Sequence, residues 1–314
     1  MRSFLRDLGT RPLPSRIASL ALAGLVILVP IACAWQGQPP VAIPTTVSQP
    51  TARSQTDIYF YDMNAELAQG WSYDADGIVL TPNGSDLEYN AVTISQYALG
   101  YYSLWRTTGS LANRTGFLHY ADWLVDHQAT TGLWLYTYQA WTMKPPWHSA
   151  LAEGQAMSVL IRAWDITQNE KYLRAATAAM NTFSKAYEDE GVASYEGADT
   201  FYEEYDPSFM PHVLNGFMFA LVGLYEYHAA VGDADSGRLW EAGASTLARN
   251  LHRWDSGTGT YYNLASPPLV ASGLYAGIHV AELRQMWRLT GNPTFLTWAH
   301  RWAGYLAPPL PHAS

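Results

Sequence analysis

Two phenols enclose two carboxyls in Tyr202-Glu203-Glu204-Tyr205, and the segment Val213-Leu214-Asn215-Gly216-Phe217 follows a few residues later. Four consecutive side chains that can exchange protons, set before the apolar opening of a helix, suit acid–base chemistry without a cofactor. The same tetrapeptide would also serve as a solvated acidic loop held by two aromatic anchors. Which use applies depends on what the fold brings beside it.

The positioning elements follow from a rhythm of about sixty residues. Trp105 in LWRTTGS, Trp164 in AWDITQNE, Tyr225 in LYEYHAAVGDADS and Trp287 in MWRLTGNP are spaced by 59, 61 and 62 residues. Each lies near the end of one helical pattern, ahead of a short polar turn and a second helix. Apolar residues recur at helical spacing, as in Val159, Ile161, Ala163 and Trp164, and again in Leu214, Phe217, Leu221 and Leu224. Short turns make the two helices of a pair antiparallel neighbours. Such repeats bury their faces by stacking on one another. The chain therefore reads as all-α, with about four helical hairpins forming an α/α toroid, an incomplete α/α barrel, over residues 91–310. Residues 57–90 read as a short β segment, a hairpin with strands near Ile58–Tyr61 and Ile78–Leu80 and turns at Asp76-Gly77 and Asn83-Gly84.

Connections between hairpins are long, at 128–147, 188–211 and 253–274. With the hairpins side by side in one sense, these loops share a rim. They carry Trp134, Tyr136 and Tyr138, then Tyr202 to Tyr205, then Tyr261 and Tyr262. The inner helices that follow open with Ser149, Glu153 and Gln155, with Asn215, and with Tyr275 and His279. Loops on a rigid scaffold are where binding residues gather.

Composition narrows the partners. The chain holds 13 Trp and 21 Tyr, rings that can stack on sugars or fill a core. A net charge of −9 argues against a long-range pull on nucleic acid. Cys33 is the one cysteine, so there is no intrachain disulfide and no thiolate-rich metal site. The histidines lack metal-ligand spacing, and Gly257-Thr258-Gly259 is not followed by the helix a phosphate cradle needs. No cofactor and no metal is expected. At the N-terminus, Arg2, Arg6, Arg11 and Arg16 precede an uncharged apolar run from Ile17 to Trp35. Residues 1–35 thus read as a signal peptide or a membrane anchor, with Ala32-Cys33 similar to a lipoprotein cleavage site. Residues 36–56, rich in Pro, Thr, Ser and Gln, read as a flexible tether. The folded part is expected outside the cytoplasmic membrane, secreted or anchored in the cell envelope, and could form a homodimer.

Four segments together resemble one family. They are Ser149-Ala-Leu-Ala-Glu-Gly-Gln-Ala156, Tyr202-Glu-Glu-Tyr205, Val213-Leu-Asn-Gly-Phe217 with Gly223-Leu-Tyr225, and Asp255-Ser-Gly-Thr-Gly-Thr-Tyr-Tyr262. From about residue 90 to Leu306 their order and spacing are similar to those of the D-glucuronyl C5-epimerases, which convert glucuronate to iduronate within heparosan-like glycans. The resemblance implies an α/α-barrel catalytic domain and a uronic-acid polysaccharide as substrate. It places catalytic roles on Glu204, Tyr205, Tyr262 (here followed by Asn263-Leu264) and Tyr275, with His279 four residues further on. Glu153, Gln155, Asn215, Tyr202, Tyr136 and Tyr138 become candidate substrate contacts, along with His279. The chain departs from the family in three ways. Ala265 stands where the family has an arginine, Glu153 stands where it has a glutamine, and the β-rich N-terminal region of the animal enzymes is nearly absent. Without that arginine, His279, Lys144 and His148 are the candidate partners of a substrate carboxylate.

Inversion at C5 of a uronate removes a proton beside a carboxylate and returns one from the other face. The intermediate gains negative charge, which preorganised donors must stabilise. A free tyrosine, with a pKa of about 10, is ionised in roughly one molecule per thousand at neutral pH. Either a tyrosine is activated or a carboxyl of raised pKa takes the proton. Glu204 with Tyr205 could serve one face and Tyr275 with His279 the other, with acid and base unassigned. The alternatives are a uronate lyase, which starts with the same abstraction, a glycoside hydrolase using Glu204 and Glu153, and a non-catalytic glycan-binding protein of the envelope.

Overall fold

The computed structural model of the protein describes residues 58–306. The expected export signal or anchor (1–35) and tether (36–56) lie outside the described residues. Among the described residues no helix is long and apolar enough to cross a membrane.

Among the described residues four helical hairpins form, as the sixty-residue rhythm requires. They are α2 (Ala91–Thr108) with α3 (Leu111–Asp126), α4 (Ala150–Thr167) with α5 (Glu170–Thr182), α6 (Leu214–Val231) with α7 (Ala234–Asn250), and α8 (Gly273–Thr290) with α9 (Pro293–Leu306). Each hairpin turns through two residues that do the same two jobs. The first closes the helix in a left-handed conformation: Gly109, Gln168, Gly232 and Gly291. The second caps the next helix, with Ser110, Asn169, Asp233 and Asn292 side chains accepting from first-turn N–H groups.

The first helix of each pair is the inner one. α4 is buried without interruption from Ala150 to Ala163, and α6 from Leu214 to Leu224. The outer helices are amphipathic, α5 burying Tyr172, Ala175, Ala176, Ala179 and Met180 at helical spacing. Inner helices pack in chain order, α2 on α4, α4 on α6 and α6 on α8. The tightest seam joins α4 to α6, where a Cβ on Gly223 would lie 2.1 Å from the Gly154 carbonyl oxygen.

Two sequence readings need correction. In α2, α4 and α8 the aromatic marker is the fifteenth helical residue (Trp105, Trp164, Trp287), whose carbonyl accepts the closing N–H of the turn. In α6 that place belongs to His228, and Tyr225 sits three residues earlier. The expected strand at Ile58–Tyr61 does not form. A strand would send alternate side chains to opposite faces, whereas the rings of Tyr59, Phe60 and Tyr61 all lie within 6.4 Å of the Phe219 ring. This segment leads into the short helix α1 (Asn64–Leu67), which packs on α2. The sheet beyond it has three antiparallel strands, β1 (Ser72–Tyr73), β2 (Val79–Asn83) and β3 (Asp86–Glu88), with turns at the two expected places. A second hairpin, β4 (Ala193–Glu196) and β5 (Asp199–Tyr202), stands inside what reads as a loop. Its register pairs Ala193 with Tyr202 and Glu196 with Asp199 across Gly197-Ala198.

Candidate active site

The chain reaches Glu204 from β5, and pairing there decides where each side chain of the tetrapeptide goes. Glu203 N–H donates to the Val192 carbonyl at 2.8 Å, and its own carbonyl accepts Ala150 N–H at 2.8 Å. Tyr202 is thereby fixed in the core. Its ring packs on Phe183 and Phe217, and its hydroxyl donates to the Leu239 carbonyl at 2.7 Å. Tyr202 anchors the strand and lies outside the cleft, contrary to its expected place among the substrate contacts.

Glu204 emerges over the first turn of α6. A Cβ on Gly216 would lie 2.3 Å from Glu204 Oε2, so only glycine leaves room for the carboxyl. Val213 gives this helix no side-chain cap. The uncapped N-terminus, where peptide dipoles present partial positive charge, suits an acid. Tyr262 arrives on the loop before α8 and is pinned by its backbone, with N–H to the Leu269 carbonyl (2.6 Å) and carbonyl from Leu214 N–H (2.9 Å). Tyr275 is the third residue of α8, whose cap Ser272 accepts its N–H at 3.4 Å. The Tyr262 and Tyr275 rings meet edge to face at 4.9 Å. The Tyr205 and Tyr262 hydroxyls lie near enough to the Glu204 carboxyl to pull its pKa down, and Tyr262 acts in the same way on Tyr275. Four residues from two distant stretches of chain thus form one cluster.

They face one cleft. Glu204, Tyr205, Tyr275, Asn215, Tyr136, Tyr138 and Ser149 line it, with Tyr262 behind them. The lining also includes Asn90, Gln96, Trp141, Trp147 and Phe219, which the sequence did not single out. Asn90 had a readable signal as the cap of α2, accepting from Val92 and Thr93 N–H. Its carboxamide oxygen also takes the Tyr136 hydroxyl at 3.3 Å. Trp147 stacks on Tyr136 at 3.9 Å, and Trp141 meets Tyr205 at 5.4 Å, contacts that only the folded loop creates.

Glu153, Gln155 and His279 do not line the cleft. Glu153 is fully buried, and its Oε1 accepts Trp134 N–H at 3.0 Å. It holds the loop and does not face Glu204 across a bond, the arrangement a hydrolase pair would need. Gln155 is fully buried on the inner face of α4. His279 Nδ1 lies 2.9 Å from Thr260 Oγ1, and burial pushes its pKa down to about 3. A neutral imidazole there supplies no positive charge to a carboxylate. His148 contacts the Gly191 carbonyl at 2.6 Å and is shifted down by burial, while Lys144 is exposed.

The electrostatics separate the acid from the phenols. Burial raises Glu204 to about 7, against the opposing pull of the Tyr205 and Tyr262 hydroxyls. Burial, reinforced by the Glu204 charge, also raises Tyr205, Tyr262 and Tyr275. At neutral pH the site holds one carboxyl near its midpoint beside three neutral phenols. That set can accept a proton and donate one.

Residues 127–304 match the family described as D-glucuronyl C5-epimerase C-terminus. The D-glucuronyl C5-epimerase of Caenorhabditis elegans is 32% identical over 59% of this chain, in an alignment spanning 34% of that enzyme. An uncharacterized protein of Methanocaldococcus jannaschii is 24% identical over 54% of this chain and 56% of its own length. The chain thus covers about a third to a half of these relatives. With more than half of its residues inside the match, the chain belongs to the D-glucuronyl C5-epimerase C-terminal family.

Proposed function

We propose that the cleft inverts C5 of uronate residues in a polysaccharide, with a heparosan-like glycan as the first candidate substrate. The observation that carries this reading is the cluster of Glu204, Tyr205, Tyr262 and Tyr275 at one cleft, with the carboxyl near 7 and the phenols neutral. Glu204 takes the C5 proton, since it alone of the four is ionised to a useful extent at neutral pH. The electron pair moves into the substrate carboxylate. Tyr205, Ser149, Asn215 and Gln96 supply the neutral donors that the growing charge requires. Tyr275 returns a proton to C5 from the other face and becomes a phenolate. Exchange with solvent then returns Tyr275 to the phenol and Glu204 to the carboxylate, with Tyr262 lying between them as a route for the proton. Trp141, Trp147, Tyr136 and Tyr138 give the sugar apolar ring faces.

The name of the nematode relative supports glucuronate as the residue acted upon. The basic, apolar N-terminus supports work outside the cytoplasmic membrane. The test is incubation with heparosan in heavy water. Deuterium at C5 of an intact chain, with iduronate formed, is the expected result. Unsaturated chain ends would replace inversion by elimination, and an unlabelled, unchanged polymer would remove proton exchange altogether.

A further inference from the structure

Glu203, next to Glu204, is fully buried, and its carboxylate meets three donors. Ser194 Oγ donates to Oε1, His212 Nδ1 lies 2.7 Å from Oε1, and His212 backbone N–H donates to Oε2 at 2.8 Å. The other ring nitrogen, Nε2, lies 2.8 Å from Oε1 of Glu196, which also pairs with Arg253 at 2.7 Å. The imidazole stacks on Phe201 at 3.9 Å, and the His212 carbonyl accepts the Trp254 indole N–H at 3.0 Å. A neutral imidazole has one N–H and would turn a lone pair toward one of these carboxylates. With a carboxylate on each nitrogen, the ring is the imidazolium. Burial opposes that charge, but Glu203 and Glu196 outweigh it and raise the His212 pKa.

His212 stands where three parts of the site meet. Its φ of +53° is uncommon for a residue other than glycine, so contacts hold it there. Val213 to Asn215 follow at once and open α6 without a side-chain cap, and Leu214 N–H reaches the Tyr262 carbonyl. One charged ring therefore links the strand before Glu204, the helix start that carries Asn215 and Gly216, and the backbone of Tyr262.

We propose that protonated His212 is a positioning residue for the proton-transfer group, a clamp between Glu203 and Glu196 that holds Glu204 over Gly216. The clamp rests on the reading of Glu204 as the group that takes the C5 proton. The sign of its pH dependence follows from the raised pKa. The clamp is complete at low pH and is lost as pH rises through the folded value. Glu204 must be ionised, so the two groups give a bell-shaped rate profile with His212 on the alkaline side.

His212→Gln keeps a side chain of similar reach without the charge. The C5 exchange rate of this variant should fall by roughly 10- to 100-fold, as for a small misplacement of a catalytic group, with KM nearly unchanged. The ratio of wild type to variant should shrink toward one on the alkaline side. Glu196→Gln, at a half-exposed side chain, leaves Glu203 untouched and should move the alkaline limb down by about one pH unit. Unchanged profiles in both variants, or losses parallel at every pH, overturn the clamp. If the wild type exchanges no C5 proton with any uronate, the proposed function fails by itself. The carboxyl ¹³C titration of Glu204 then decides the clamp. Its midpoint near 7 should drop in His212→Gln as water reaches the loosened segment, and an unmoved midpoint overturns the proposal.

Discussion

The two ends of the inner helices treat buried charge in opposite ways. At the rim, Glu204 has two phenols beside it, one oxygen without a hydrogen-bond partner among the described residues and a cleft in front of it. Toward the C-terminal halves, Arg162 of α4 grips Glu226 of α6 through two bonds, at 2.6 and 2.8 Å, beneath the Tyr59 ring. Between these two ends, Glu66 of α1 and Glu282 of α8 are fully buried, Glu282 within reach of the Glu204 charge, and among the described residues no hydrogen-bond partner meets either carboxyl. Burial raises the pKa of Glu204, Glu66 and Glu282 alike. A raised pKa therefore does not mark a catalytic acid. Proton-bearing partners and an opening to substrate do.

Four substitutions bear on that contrast, and the largest effect belongs to the rim. Glu204→Gln should reduce C5 exchange by about 10²- to 10⁴-fold while thermal unfolding stays close to wild type. In the wild type the rate should fall as pH drops through about 7, where Glu204 takes up its proton. An acidic limb unchanged in a still-active variant would hand the role to another group. Arg162→Met should invert that pattern. It leaves Glu226, 12% exposed, without its partner and should cost about 3 kcal/mol in urea unfolding, with exchange per folded molecule unaltered. Activity lost faster than stability would tie the ion pair to the chemistry.

Glu66→Gln should be smaller and of opposite sign. The carboxyl is raised from 4.5 to about 7, so its folded form prefers the neutral state. The penalty is absent below the unfolded value, grows as pH climbs between the two, and is complete above about 7. The amide should therefore stabilise the protein by up to roughly 3 kcal/mol at pH 8 and by almost nothing at pH 4. Equal effects at both would show that Glu66 is ionised at no cost. Tyr202→Phe should cost about 1 kcal/mol by removing the bond to the Leu239 carbonyl, and KM should stay put. A raised KM would return Tyr202 to the cleft.

The hairpin architecture was legible because it is written in local chemistry. Gly109-Ser110 and Gly232-Asp233 announce a helix end and a helix start in adjacent residues, and periodic apolar residues supply what lies between. The marker at Tyr225 was displaced because an aromatic three residues away from His228 lies on nearly the same helical face. The reading of Ile58–Tyr61 as a strand failed because aromatic residues favour strands by composition, while tertiary packing on Phe219 decided their direction. At the cleft, Glu204, Tyr205 and Tyr275 could be singled out through motifs. Trp141, Trp147 and Phe219 could not, because their place depends on loop conformation and on which helical face turns inward. Glu153 and Tyr202 look like site residues in the sequence because they sit beside one. Only hydrogen bonds to Trp134 N–H and the Leu239 carbonyl show them to be supports.

The seam between α4 and α6 has an effect beyond packing. Ser149 and Asn215, at the starts of those two helices, stand on the walls of the cleft. Their separation is governed further along the same helices, where Gly223 lies against the Gly154 carbonyl and no methyl group fits. An alanine at Gly223 would act as a shim, prying the helices apart and widening the gap that a sugar must span. The aperture is thus gauged by hydrogen atoms that never meet the substrate.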